Sequence, residues 1–236
     1  MPLNYAQIIQ ALSVGALPVI FAITLHEAAH GFIAHRLGDD TAYRMGRVTF
    51  NPIRHIDLFG TIILPLVLFV TTATTTGRPF VFGYAKPVPV RFDRLNHPRR
   101  DMVWVALAGP GTNILLALIS AFLFAGVPHL PSMLREWSAA SLQLSIVFNL
   151  IIGVFNMIPL PPLDGGRVAV GLLPDFLAIP LARSERYGML ILIGLLFVLP
   201  MLGEQLHTDL NVVWWVIQWP IDWLASAIHW LTGVDI

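Results

Sequence analysis

The chain has 236 residues, of which 56% are hydrophobic and 12% charged, and its mean hydropathy is +0.72. A soluble domain carries roughly 25% charged residues, and half that density leaves too little polar surface for a water-soluble globule. An ordinary cytosolic domain, a disordered chain and a nucleic-acid-binding protein are excluded. The formal net charge of zero implies no global electrostatic partner. The absence of cysteine removes disulfide frameworks, thiolate metal sites and cysteine nucleophiles. In lipid, this length suits four to six spanning segments, so the predicted class is an all-α polytopic membrane protein in a lipid bilayer.

In chain order, residues 1–5 carry no basic side chain and do not read as a secretory signal peptide. The first span is predicted over about 5–36, apolar from Ile8 to Leu25 and polar from His26. Residues 58–77 form a second apolar run with Pro65 at its middle and a threonine-rich second half. Basic residues flank it on both sides: Arg36, Arg44, Arg47 and Arg54 before, then Arg78, Lys86, Arg91, Arg94, Arg99 and Arg100 after. The positive-inside rule puts both flanks in the cytosol, so 58–77 is read as a re-entrant hairpin, with a full span as the alternative. Thr49–Asn51 and Phe80–Val90 are short apolar runs with Gly and Pro, predicted as a small membrane-associated β element.

Further spans are predicted over 102–134, 137–163 and 187–203. With the N-terminus outside, residues 37–100 are cytosolic or dip into the membrane. Everything after residue 200 has four acids (Glu204, Asp209, Asp222, Asp235) and no Lys or Arg, as an external tail should. Residues 210–232 hold five tryptophans around Pro220 and read as an interfacial or broken helix or a further span. The chain is organised as one membrane-embedded domain over 1–236, with a core of about 5–203 and a Trp-rich tail over 204–236.

Ionisable residues inside spans are expensive, and therefore informative. His26-Glu27-Ala28-Ala29-His30 puts two imidazoles four residues apart, on one helix face, with an acid beside them. This is the H-E-x-x-H arrangement of zinc hydrolases, and neutral imidazoles suit Zn²⁺. A structural polar cluster is the alternative. Catalytic zinc needs a third protein ligand, and without cysteine that ligand is Asp, Glu or His. Asp164, in Pro161-Pro162-Leu163-Asp164-Gly165-Gly166, is the lone acid between Glu136 and Asp175. The topology brings it to the depth of His30. The competing reading is a plain cytosolic turn with Asp164 as helix cap. The predicted metal residues are His26, His30 and Asp164, with one Zn²⁺ per chain.

His26-Glu27-x-x-His30, Ala108-Gly109-Pro110-x-x-Asn113 and Asn156-x-x-Pro159-x-x-x-Leu163-Asp164-Gly165 occur in that order. Together they resemble the site-2 protease family of intramembrane zinc metalloproteases, peptidase family M50, over roughly residues 15–200. The resemblance implies zinc ligation by His26, His30 and Asp164, with Glu27 as catalytic acid/base. It also implies a substrate or oxyanion role for Asn156, and Asn113 is a second candidate for such a role. It further implies cleavage of transmembrane substrate helices near the cytosolic side. The sequence resembles a small subgroup without an inserted PDZ-like or nucleotide-sensing domain, and with Phe82–Val90 ahead of the second motif.

On this reading an edge strand from 80–90 captures an unwound substrate by β-addition. Gly109-Pro110-Gly111 is read first as small residues that let helices approach. Arg167 is expected to snorkel to the interface, and Arg99-Arg100 to fix topology. His35, His55, His97, His129, His207 and His229 default to surface or interfacial roles. The rival classes are a divalent-metal transporter, which predicts internal repeats that are not found, and a non-catalytic membrane binding protein. Nucleic acid is not an expected partner, and the oligomeric state is left open.

Overall fold

A computed structural model describes residues 5–75 and 83–235. Within them the chain is helical: α1 (Tyr5–Arg36), α2 (Thr41–Arg44), α3 (Leu64–Thr75), α4 (Pro98–Ala125), α5 (Ser132–Asn156), α6 (Asp164–Leu172), α7 (Asp175–Arg183), α8 (Glu185–Ile193), α9 (Leu199–Leu206) and α10 (Val212–Thr232). A π-turn over Gly194–Val198 joins α8 to α9. Four helices are long and apolar enough to cross a membrane: Leu12–Arg36, Pro98–His129, Ser132–Asn156 and Glu185–Leu206. The chain is a multi-pass membrane protein by this measure. Large apolar side chains such as Leu12, Leu115, Phe122 and Leu190 point outward, as lipid contact requires.

The boundaries follow local chemistry. α4 begins at Pro98, four residues before the apolar run, because proline needs no N–H partner in a first turn. The preceding His97 N–H donates to the Asp101 carboxylate at 2.7 Å. The expected single run over 102–134 is interrupted at Gly126 and a 3₁₀ turn, Val127–His129. α5 stops at Asn156, short of residue 163, because Pro159, Pro161 and Pro162 cannot continue a helical ladder.

Residues 58–75 run as a π-turn (Leu58–Ile63) straight into α3. Asp57 caps this stretch by accepting from Gly60 N–H at 2.7 Å. No return arm of the expected re-entrant hairpin over 58–77 is seen within 58–75, and its last two residues, 76 and 77, lie outside the described residues. α10 is one continuous helix through Pro220 rather than a broken one.

The expected β element is absent among the described residues. Thr49–Asn51 is a bend, and 83–91 is an extended strap with no strand partner. The start of that predicted strand, 80–82, lies outside the described residues. The strap alternates like a strand, but its N–H groups go to helix ends. Tyr84 N–H donates to Gly60 O at 3.0 Å, and Lys86 N–H to His55 O at 2.9 Å. Pro87 and Pro89 stand at the alternate positions and supply no N–H, so a second strand has little to pair with.

α1, α4 and α5 pack mutually, with small residues where backbones approach: Ala22, Ala28 and Ala34 on α1, then Ala106, Gly109, Ala117 and Ala121 on α4. Ala117, Ala121, Ile146, Leu150 and Ile228 form one buried cluster, so α10 packs on the α4–α5 pair while Trp219, Trp223 and Trp230 stay exposed. A second cluster of Ala34, Leu95 and Val105 closes the other end of α1 against α4.

Candidate metal centre

α1 carries His26 and His30 one turn apart, and both are buried. Asp164, buried too, is the first residue of α6. The turn that delivers it is tight. A Cβ on Gly165 would overlap the Met157 carbonyl, and one on Gly166 would overlap the backbone of Leu160 and Pro161. The two glycines therefore let α6 start directly on top of the proline loop. Arg99 clamps the far end of α6, donating to Gly171 O at 3.1 Å, to Leu173 O, and to Asp175 Oδ1 at 2.6 Å. Arg99 is thus a structural clip between α4, α6 and α7 as well as a surface charge. Arg167 does not simply reach outward. Its guanidinium lies 3.9 Å from Asp164 Oδ1 and over the Phe92 ring.

The three predicted ligand side chains converge. His26 Nε2 and His30 Nε2 are 3.1 Å apart, and each is 3.3 Å from Asp164 Oδ2. The opposite ring nitrogens are already committed. His30 Nδ1 lies 2.7 Å from Val105 O, which can only accept, so Nδ1 carries the hydrogen. His26 Nδ1 lies 2.6 Å from Asn113 Oδ1 and donates likewise. In neutral rings both Nε2 atoms then present lone pairs. Asp164 Oδ2 is buried and receives no hydrogen bond, despite its two close neighbours. Three acceptors facing one another without a donor are mutually repulsive, and a cation between them reverses the sign of all three interactions.

The donor set fits zinc. A tetrahedral ion with bonds of about 2.0–2.2 Å has ligand-to-ligand edges of roughly 3.3–3.6 Å. The observed edges of 3.1, 3.3 and 3.3 Å are close to this. Two imidazoles and a carboxylate leave a fourth position open, as catalytic zinc sites do. Among the described residues this is the one group of three or more metal-ligating side chains whose donor atoms lie within 4.8 Å of one another.

Gly109 touches this centre. A Cβ there would overlap His30 Nε2 and the His26 ring, so α4 rests its backbone against both imidazoles. Gly111, two residues on, has open space around it. The Gly-Pro-Gly signal is therefore a close helix approach at Gly109 alone, and it is directed at the histidines.

Glu27 is half-buried on α1, and its Oε2 accepts from Val88 N–H of the strap at 2.7 Å. Lys86 O, on the same strap, accepts from Arg47 at 2.6 Å. β-Addition to the described part of the segment, 83–90, is not supported by this arrangement, because Pro87 and Pro89 supply no N–H along the other edge. Asn113 has no N–H left for an oxyanion: its amide donates to Ala22 O at 3.2 Å and to Asn149 Oδ1 at 2.8 Å. Asn156 lies at the end of α5 and donates to Ile152 O at 3.0 Å. No hydrogen bond among the described residues ties it to the three donors. His55 is buried rather than superficial, donates Nε2–H to Thr49 O at 3.1 Å, and burial lowers its pKa below the ordinary histidine value. Sequence reasoning missed Val88 and Asn149. Val88 carried no signal, whereas Asn149 carried one as an amide within an apolar span.

The family model described as Peptidase family M50 matches residues 14–140 and 131–200. The chain belongs to peptidase family M50. As an M50 protein it is site-2 protease-like, a zinc metalloprotease by family. It is similar to "Putative zinc metalloprotease YwhC" of Bacillus subtilis, 36% identical over 197 residues covering 82% of this chain and 84% of that protein. It is also similar to "Putative zinc metalloprotease Rip2" of Mycobacterium tuberculosis, 30% identical over 227 residues covering 91% and 76%. "Putative zinc metalloprotease MJ0611" of Methanocaldococcus jannaschii is 30% identical over 152 residues, covering 64% and 70%. No solved structure matches the chain.

Proposed function

We propose that this M50 protein hydrolyses peptide bonds of transmembrane substrate helices, with one Zn²⁺ held by His26, His30 and Asp164. The observation that carries this reading is the convergence of three acceptor atoms within 3.3 Å, with no donor among them. Zinc, when bound, supplies Lewis acidity to a substrate carbonyl and acidity to water. The remaining chemistry belongs to the side chains.

Glu27 is the proton carrier. Val88 N–H holds its Oε2, which leaves Oε1 to take a proton from water and return it to the leaving amine. Asn113 and Val105 each accept an Nδ1–H, which turns the Nε2 atoms of His26 and His30 toward the centre. The half-buried Asn156, near the proline loop that presents Asp164, is assigned to the substrate or its developing oxyanion, using its second amide hydrogen.

The domain extends over the chain as one membrane-embedded metalloprotease, with a core of about 5–203 and a Trp-rich tail over 204–236. The basic loops between Arg36 and Arg100 orient the site toward the cytosolic side of a cell membrane.

The test is Glu27→Gln in reconstituted vesicles with a tagged transmembrane substrate. Zinc content is expected to stay at the wild-type level while cleavage is lost. Cleavage at the wild-type rate in that variant contradicts the assignment. Zinc flux through wild-type vesicles without proteolysis would favour a transporter instead.

A further inference from the structure

A buried polar chain runs from the metal centre into the helix bundle. His26 Nδ1 meets Asn113 Oδ1 at 2.6 Å, and Asn113 Nδ2 meets Asn149 Oδ1 at 2.8 Å. Asn149 Nδ2 meets Ser145 O at 2.9 Å and Ser145 Oγ at 3.3 Å, and Ser145 Oγ lies 2.8 Å from Ser120 Oγ. Asn113 and Asn149 are 0% and 1% exposed, so neither can turn to water for a replacement partner.

The direction of each amide is decided by main-chain carbonyls, which only accept. Ser145 O forces the Asn149 NH₂ group toward it, so Asn149 Oδ1 faces Asn113. Ala22 O and Asn149 Oδ1 together claim both hydrogens of Asn113, so Asn113 Oδ1 faces His26. That oxygen in turn fixes the hydrogen of His26 on Nδ1 and its lone pair on Nε2. With Asn149 removed, Ala22 O still accepts one hydrogen of Asn113, but the other has no acceptor and the amide is held by one bond instead of two.

We infer that Asn149 is a positioning residue that tunes the zinc affinity of the centre by immobilising Asn113 and, through it, the ring angle of His26. The inference rests on the proposed zinc site.

The test is zinc affinity, measured by chelator competition on detergent-solubilised protein that elutes as a folded species. Outer partners of metal-bound imidazoles typically contribute about ten- to hundredfold to affinity. Asn113→Leu is expected to weaken zinc binding by that order. Asn149→Leu is expected to weaken it measurably, and Asn149→Ser likewise should the leucine variant not fold.

The double variant Asn113→Leu/Asn149→Leu should bind no more weakly than Asn113→Leu alone, because Asn149 acts only through Asn113. Ser141→Ala, buried on α5 and bonded to Val14 O outside this chain of groups, should leave the affinity unchanged. Wild-type affinity in both Asn149 variants, fully additive losses in the double variant, or an equal loss in Ser141→Ala would each overturn the relay. Absence of zinc binding in the wild type would instead overturn the metal site itself, and the relay with it.

Discussion

The backbone N–H of Val88 donates to the carboxylate of Glu27 at 2.7 Å, across 61 residues of sequence. The bond ties the acid of the His-Glu-x-x-His turn to an extended strap that lies outside the long helices. It fixes one carboxylate oxygen, and on the proposed mechanism the other moves the proton. The strap is itself held by Arg47, by the ends of the Pro52–His55 and Leu58–Ile63 turns, and by Asp39.

Val88→Pro removes this donor from an extended segment that already has proline on both sides. A hydrogen bond to a charged group contributes about 1.5–3 kcal/mol, which corresponds to roughly ten- to hundredfold in rate. Turnover of a membrane-embedded substrate should fall by about tenfold or more, with zinc content unchanged. An unaltered kcat would show that the Glu27 carboxylate is oriented by something else.

Gly109→Ala and Gly111→Ala separate the two roles of the small-residue motif. At Gly109 a methyl group overlaps two rigid imidazoles, so zinc binding and thermal stability should both fall. An overpacked core change costs about 1–3 kcal/mol. At Gly111 the methyl group meets nothing, and alanine should be neutral or stabilising by up to about 1 kcal/mol. Equal melting temperatures and equal zinc content for the two variants would contradict the close approach of α4 to the histidines.

Much of this site was legible in the sequence. His26 and His30 share a helix face by spacing alone, and Glu27 and Asp164 stood out as carboxylates in apolar surroundings. The four long helices followed from apolar length. What was hidden depends on contacts between elements distant in sequence. Nothing local says that Asn113 faces His26 with its oxygen and leaves its hydrogens to α1 and α5. Nothing local says that Val88 points its N–H at Glu27. The strand expectation for 83–90 failed for a readable reason: the alternation is real, but Pro87 and Pro89 blank one edge and helix ends take the other.

Asp39 provides the pH dependence of the scaffold. It is fully buried just beyond α1, where it accepts from the Thr41 hydroxyl, the Thr41 N–H and the Arg91 N–H. Burial alone raises its pKa, but these donors outweigh it and hold the carboxyl below its ordinary value. An unfolded aspartate titrates near about 3.9. The stabilisation is therefore complete well above that pH and is lost as pH falls toward the folded value. Comparing melting temperatures of wild type and Asp39→Asn from pH 7 down to pH 3 should show a gap that narrows below about pH 4. A gap of constant size across that range would mean that the charge on Asp39 contributes nothing.

The most direct measurement is the zinc content of purified protein, by elemental analysis, for the wild type beside His26→Ala and Asp164→Asn. Stoichiometric zinc in the wild type and its loss in both variants are expected if the three converging acceptors hold one ion. A metal-free wild type after purification in zinc, or variants that retain as much zinc as the wild type, would contradict the site.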